Sequence, residues 1–128
     1  MIGYVTLGTA DVQRAAAFYD AIAAEMGGSR MMEDDGFIAW GTGFEGGAIS
    51  VIKPHDGKPA TAGNGTMVAL KAADSAQVDK LHAIALEKGG ADEGAPGPRG
   101  DSGFYAAYFR DLDGNKLCAF ITDHAVDG

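Results

Sequence analysis

The chain runs through one pattern twice. The stretch "YVTLGTADVQRAAAFYDAIAAEMGG" begins at Tyr4, and "MVALKAADSAQVDKLHAIALEKGG" begins at Met67, 63 residues further on. At that shift Val5 meets Val68, Leu7 meets Leu70, Ala10 meets Ala73, Asp11 meets Asp74 and Gly27 meets Gly90. Each half reads as a strand, an acidic helix cap, an amphipathic helix and a Gly-Gly stop. In the first helix Val12, Ala15, Ala16, Tyr19, Ile22, Ala23 and Met26 form an apolar stripe at helical spacing. In the second, Asp74 with Gln77 three residues on has the form of a capping box.

Strands near 29–33, 36–41 and 47–53 complete the first half. A Pro/Gly/polar linker, "KPHDGKPATAGNG", separates it from the second. There a short strand near 91–95 and a loop, "GAPGPRGDSG", precede a hairpin, "GFYAAYFRDLDGNKLCAF". Asp, Asn and Gly114 specify its turn. The pattern predicts a duplicated βαβββ module, with a helix on one face of each small sheet. Strand alternation points Val5, Leu7, Val68 and Leu70 toward the helices, and Tyr4, Thr6, Met67 and Ala69 to the opposite face. Two such curved sheets side by side are expected to enclose a cleft.

On these residues the chain resembles the vicinal oxygen chelate superfamily, which holds glyoxalases, extradiol dioxygenases, fosfomycin-resistance enzymes and bleomycin-resistance proteins. The resemblance is carried by "YVTLGTADVQRAAAFYDAI", "GNGTMVALKAADSAQVDKLHAIALEKGG" and "YFRDLDGNKLCAF". It implies an α+β fold of two tandem βαβββ modules, forming a curved mixed sheet around a cleft with the helices outside. Residues 1–128 are then one glyoxalase-like domain: module 1 at about 1–53, a linker at about 54–65 and module 2 at about 66–122.

Enzymes of this group usually hold one divalent metal in the cleft. Carried over by position, the first-strand ligand falls on Tyr4, the second-module ligand on Met67 and the final glutamate on Cys118; a fourth position falls near Ser50. Phenol, thioether and thiol are poor donors for Fe, Mn, Mg, Zn or Ni. His55, His82 and His124 lie in the linker, the second helix and the tail, and have no ligand spacing. The expectation is a degenerate metal site with no metal and no cofactor.

The expected ligand-binding residues are Tyr4, Met67, Tyr108 and Cys118, with Trp40 as a further choice because only one of Trp40 and Phe37 can face the cleft. Tyr108 matches a ligand-facing tyrosine of fosfomycin-resistance relatives. Cys118 reads as a buried structural thiol, Arg99 as a solvated cation, and no catalytic residue is assigned. The expected function is therefore glyoxalase/bleomycin-resistance-like binding of a small organic molecule. The alternative is a lyase or dioxygenase of the same group, metal-free or with an unrecognised ligand set.

The totals narrow the partners. A net charge of −8 argues against nucleic acid and leaves a cationic or neutral small molecule open. One cysteine excludes an internal disulfide framework. No run approaches a membrane span, and the first residues lack signal-peptide character. A cytoplasmic homodimer is expected, since members of the group commonly pair their strand edges between chains.

Overall fold

The computed structural model describes residues 1–125. The first half contains β1 (Tyr4–Gly8), α1 (Val12–Glu25), β2 (Ser29–Asp34), β3 (Phe37–Gly41) and β4 (Ala48–Ile52), with a single 3-10 turn at Phe44–Gly46. The second contains β5 (Val68–Lys71), α2 (Ser75–Glu87), β6 (Ala91–Pro98), β7 (Tyr105–Arg110) and β8 (Lys116–Ile121). Two separate four-stranded mixed sheets result, ordered β1-β4-β3-β2 and β5-β8-β7-β6. In each, the first strand pairs parallel with the last, and the remaining pairs are antiparallel. The repeat in sequence is a repeat in space.

The helices start as the sequence predicts. Asp11 accepts from the Arg14 backbone N–H at 3.1 Å, and Asp74 from that of Gln77 at 2.8 Å. The Gln77 side chain returns the bond to Ala73 N–H at 2.8 Å, which completes the capping box. The helix ends correct the alignment by one residue. Gly27 (φ 79°) corresponds to Gly89 (φ 97°), not to Gly90, because α2 is 13 residues long and α1 is 14. Gly28 and Gly90 then play one role, donating to the carbonyls of Ala23 and Ala85 at 2.8 Å each.

The segment "GAPGPRGDSG" also differs from expectation. Its first half continues β6 through Pro98 instead of forming a loop. Two prolines are tolerated because β6 is an edge strand, and its pairing with β7 is irregular on both sides of Gly94.

One core serves both halves. Ile38, Trp40 and Val51 of the first sheet and Phe109, Leu117 and Ala119 of the second share it with buried residues of both helices. Phe18 of α1 lies 6.3 Å from the Phe109 ring of β7, centroid to centroid. The helices also touch each other, through Gln77 Nε2 to the Glu25 carbonyl at 3.0 Å and a Lys80–Glu25 ion pair. They therefore join the modules as well as covering the sheets.

A buried polar joint adds to this contact. The Tyr19 hydroxyl donates to Asp111 at 2.5 Å, and Asp111 also accepts from Asn115 Nδ2 and from the backbone N–H groups of Asp113 and Asn115. Asn115 Nδ2 donates as well to the Gly8 carbonyl, and the Thr9 hydroxyl donates to Asp113 at 2.6 Å. Burial, then the Asp111 carboxylate, holds the Tyr19 phenol well above its ordinary pKa, so it stays a donor. Among the described residues, no helix is long and apolar enough to cross a membrane.

Candidate functional site

With the helices covering one face of each sheet, the other faces stay open. On the first sheet β1, β4 and β3 present Tyr4, Thr6, Ala48, Ser50, Phe37 and Ala39. Tyr4 and Thr6 are exposed. The Tyr4 ring meets only Phe44, edge-on at 6.5 Å. Ser50 is fully buried and committed: its hydroxyl donates to the Val5 carbonyl and bonds Thr6 Oγ1, both at 2.9 Å.

On the second sheet β5, β8 and β7 present Ala69, Lys71, Lys116, Cys118, Phe120, Ala106, Tyr108 and Arg110. Met67, just before β5, is exposed. A cavity of about 470 Å³ opens here, lined by the segment Gly63–Thr66, Met67, Arg110 and Lys116. That volume lies in the range of small-molecule sites, but the lining is more polar than apolar and the depression is open to solvent.

Lys116 links this cavity to Tyr108, its Nζ standing 5.4 Å from the ring centroid. The Arg99 guanidinium stands 5.5 Å from the same ring. Arg99 donates to the carbonyls of Ala95, Gly97 and Pro98. Two glycines make room for it: a Cβ on Gly94 would lie 3.0 Å from Tyr108 Cδ2 and 3.4 Å from Arg99 Nη2, and one on Gly97 3.3 Å from Arg99 Nη1. Arg110, by contrast, is neutralised by Glu93 and donates to the Gly114 carbonyl.

The expected site residues thus divide. Tyr108 and Cys118 are direct cross-strand neighbours on one open face, and Met67 lines the adjoining cavity. Tyr4 lies on the other module's face and does not line that cavity. Trp40 is a correction. It points into the core, 1% exposed, with its ring 5.3 Å from Tyr19 and its indole N–H donating to Asp20 at 2.7 Å. Alternation gives the open face to Phe37 and Ala39 instead. Sequence reasoning passed over Lys116, gave Arg110 to the hairpin turn and treated Arg99 as solvated. The signal was present, because Lys116 lies two residues before Cys118 and Arg110 two after Tyr108, on the same faces.

The donor set does not fit a metal of the usual kind. Tyr4, Met67 and Cys118 offer phenol, thioether and thiol, and the Ser50 hydroxyl is occupied. Among the described residues no group of three or more His, Cys, Asp or Glu side chains is arranged to hold an ion. Cys118 is 1% exposed. Burial pushes its thiol up, against the pull of Arg99 and Lys116, so the reactive thiolate is scarce. His82 is taken up by Asp92 at 3.0 Å, which leaves it on the helix side.

The sequence profile of the Glyoxalase/Bleomycin resistance protein/Dioxygenase superfamily matches residues 1–119. The chain belongs to this superfamily. It is similar to a glyoxalase/bleomycin resistance protein from Albidiferax ferrireducens T118, with 32% identity and a TM-score of 0.86 over 98% of this chain and 99% of that one. A glyoxalase/bleomycin resistance protein/dioxygenase family enzyme from Burkholderia phytofirmans PsJN shares the fold at 20% identity and TM-score 0.75, over 94% and 97% of the two chains. A lactoylglutathione lyase from Agrobacterium tumefaciens does so at 18% and 0.67, over 94% and 92%. No curated protein matches the sequence.

Proposed function

We propose that this chain is a small-molecule-binding member of its superfamily that holds its ligand by packing and hydrogen bonds, without a chelated metal. The observation that carries the reading is the donor set at the superfamily's ligand positions: Tyr4, Met67, Cys118 and the occupied Ser50. The cavity beside Met67 and Lys116, with Tyr108 and Cys118 on the same face, supplies the binding surface. Binding is preferred to catalysis because the one thiol is buried and held protonated.

The protein works as a cytoplasmic homodimer in this reading, a second copy covering the open sheet faces that one chain leaves exposed. Light scattering at micromolar concentration is expected to give twice the 13.1 kDa chain mass, and a clean monomer refutes the dimer. Elemental analysis of protein purified without chelator is expected to find no stoichiometric metal. A thermal-shift screen of metabolites and drugs tests the rest. The stabilising ligand should act equally in EDTA and lose its effect in Met67→Glu; a ligand that needs a divalent metal overturns the reading.

A further inference from the structure

We propose that the open face of the second module recognises an anion, a carboxylate or a phosphate-type group, carried on an apolar or aromatic body. This rests on the binding reading above and adds the charge of the ligand. It reverses the cationic or neutral ligand that the net charge of −8 leaves open.

Four of the ten lysine and arginine residues gather on this one face or at its β6 edge: Lys71, Arg99, Arg110 and Lys116. Only Arg110 has a carboxylate partner among the described residues, namely Glu93. Lys116 has no acidic partner within ion-pair distance, nor has Arg99. Six of the ten lysines and arginines lack an ion-pair partner among the described residues, so what distinguishes Lys116 and Arg99 is that both stand against the Tyr108 ring.

Arg99 is also held in place. Its guanidinium bonds three backbone carbonyls, and Gly94 and Gly97 clear the ground beneath it. A cation fixed by neutral carbonyls keeps its full charge for a ligand, and a pre-ordered one loses less entropy on binding. Arg99 and Lys116 both stand against the Tyr108 ring, and Lys116 also lines the cavity. An oxyanion at Lys116 would place an attached apolar body against Tyr108 and Met67, with the Arg99 charge at the same ring.

Benzoate and phenylphosphonate, with neutral benzamide as the control, test this on the full chain by calorimetry. At least one of the two anions should bind in the millimolar range or tighter, and benzamide about tenfold more weakly. Whichever anion binds better names the class. Lys116→Met should weaken anion binding about tenfold, and Lys116→Arg should retain it. Gly97→Ala, which crowds Arg99 without removing a charge, should weaken it by a smaller factor.

Benzamide binding as tightly as benzoate overturns the proposal, as does failure of both anions at millimolar concentration. So does a Lys116→Met variant that keeps its anion affinity but dissociates the dimer, because the counter-ion is then a carboxylate of the second copy. The two readings fail separately. A neutral ligand from the metabolite screen that responds to Met67→Glu and ignores Lys116→Met would preserve the binding site and remove only the anion.

Discussion

The two modules share a strand order and differ on their open faces. Register makes the comparison position by position. Thr6 and Ser50 stand where Ala69 and Cys118 stand, and both Ser50 and Cys118 are buried. Ala48 corresponds to Lys116, Ala39 to Tyr108, Gly41 to Arg110 and Gly8 to Lys71. On β1, β4 and β3 the first face is therefore uncharged, with Tyr4 and Phe37 as its rings, whereas the second carries three cations beside Tyr108 and Phe120. A duplicated module needs its helix-facing residues for folding, so those stay apolar in both halves. The open face is not tied to the core, so it was free to diverge.

The comparison assumes that the modules are held together chiefly by buried contacts, and the joint at Asp111 tests that most severely. Asp111→Ala leaves the Tyr19 hydroxyl, Asn115 and two backbone N–H groups without an acceptor. The expected cost is about 3 kcal/mol or more in urea unfolding. A loss under about 1 kcal/mol would mean that apolar helix packing alone joins the halves.

Gly41 tests how closely the first face is packed. A Cβ there would lie 2.8 Å from Met31 Sδ and 3.1 Å from the Gly47 carbonyl oxygen. Gly41→Ala should cost about 1–2 kcal/mol, because a backbone atom cannot yield as a flexible side chain can. A neutral outcome would show that the first face could have accepted larger residues, and the contrast with Arg110 would lose its steric reason.

Tyr108 against Tyr4 tests which face recognises the ligand. For the ligand found by the screen, Tyr108→Ala should weaken binding about tenfold, and Tyr4→Ala about two- to threefold. Calorimetry giving the reverse order would move the site to the first module.

The smallest effect concerns pH. Asp20 accepts from Arg30 and from the Trp40 indole, and the Arg30 bonds chiefly hold its carboxyl below the usual range. Asp92 is lowered chiefly by the Gly94 N–H and then by His82, and Glu93 by Arg110. A carboxylate with a depressed folded pKa stabilises fully above its unfolded value, and that stability is lost as pH falls through the folded value. Urea midpoints should therefore fall only below the ordinary carboxylate range. Asp20→Asn should flatten part of that fall, by less than about 1 kcal/mol, since the pair is partly solvated. An unchanged slope would show that Asp20 carries none of it.

Much of the fold was legible because local rules agree with one another. Asp11 and Asp74 cap, Gly27 stops a helix, and alternation sorts Val5 from Tyr4; each needs only neighbouring residues to be read. The helix ends were misaligned by one residue, because "EKGG" gives no sign which glycine takes positive φ. The β6 strand was hidden because Pro96 and Pro98 forbid a central strand, and only the sheet order reveals that β6 is an edge. Of the candidate residues, Tyr108 and Cys118 were read onto one hairpin, where they are cross-strand neighbours, whereas Trp40 was misplaced. Alternation leaves Trp40 and Phe37 on opposite faces, and the choice rests on Tyr19 and Asp20 of α1, which take the indole into the core.

The sequence alone determined the duplication, the helix limits at their N-termini, the hairpin turn and the absence of good metal donors at Tyr4, Met67 and Cys118, because these depend on residue type and spacing. Only the tertiary structure decided that the helices meet and bind the halves into one core, that Asp111 reaches Tyr19 across them, and that Arg99 comes to lie over Gly94 and Gly97 beside Tyr108. Those contacts bring together residues far apart in the chain, and their energies come from burial and close approach, which no stretch of sequence contains by itself.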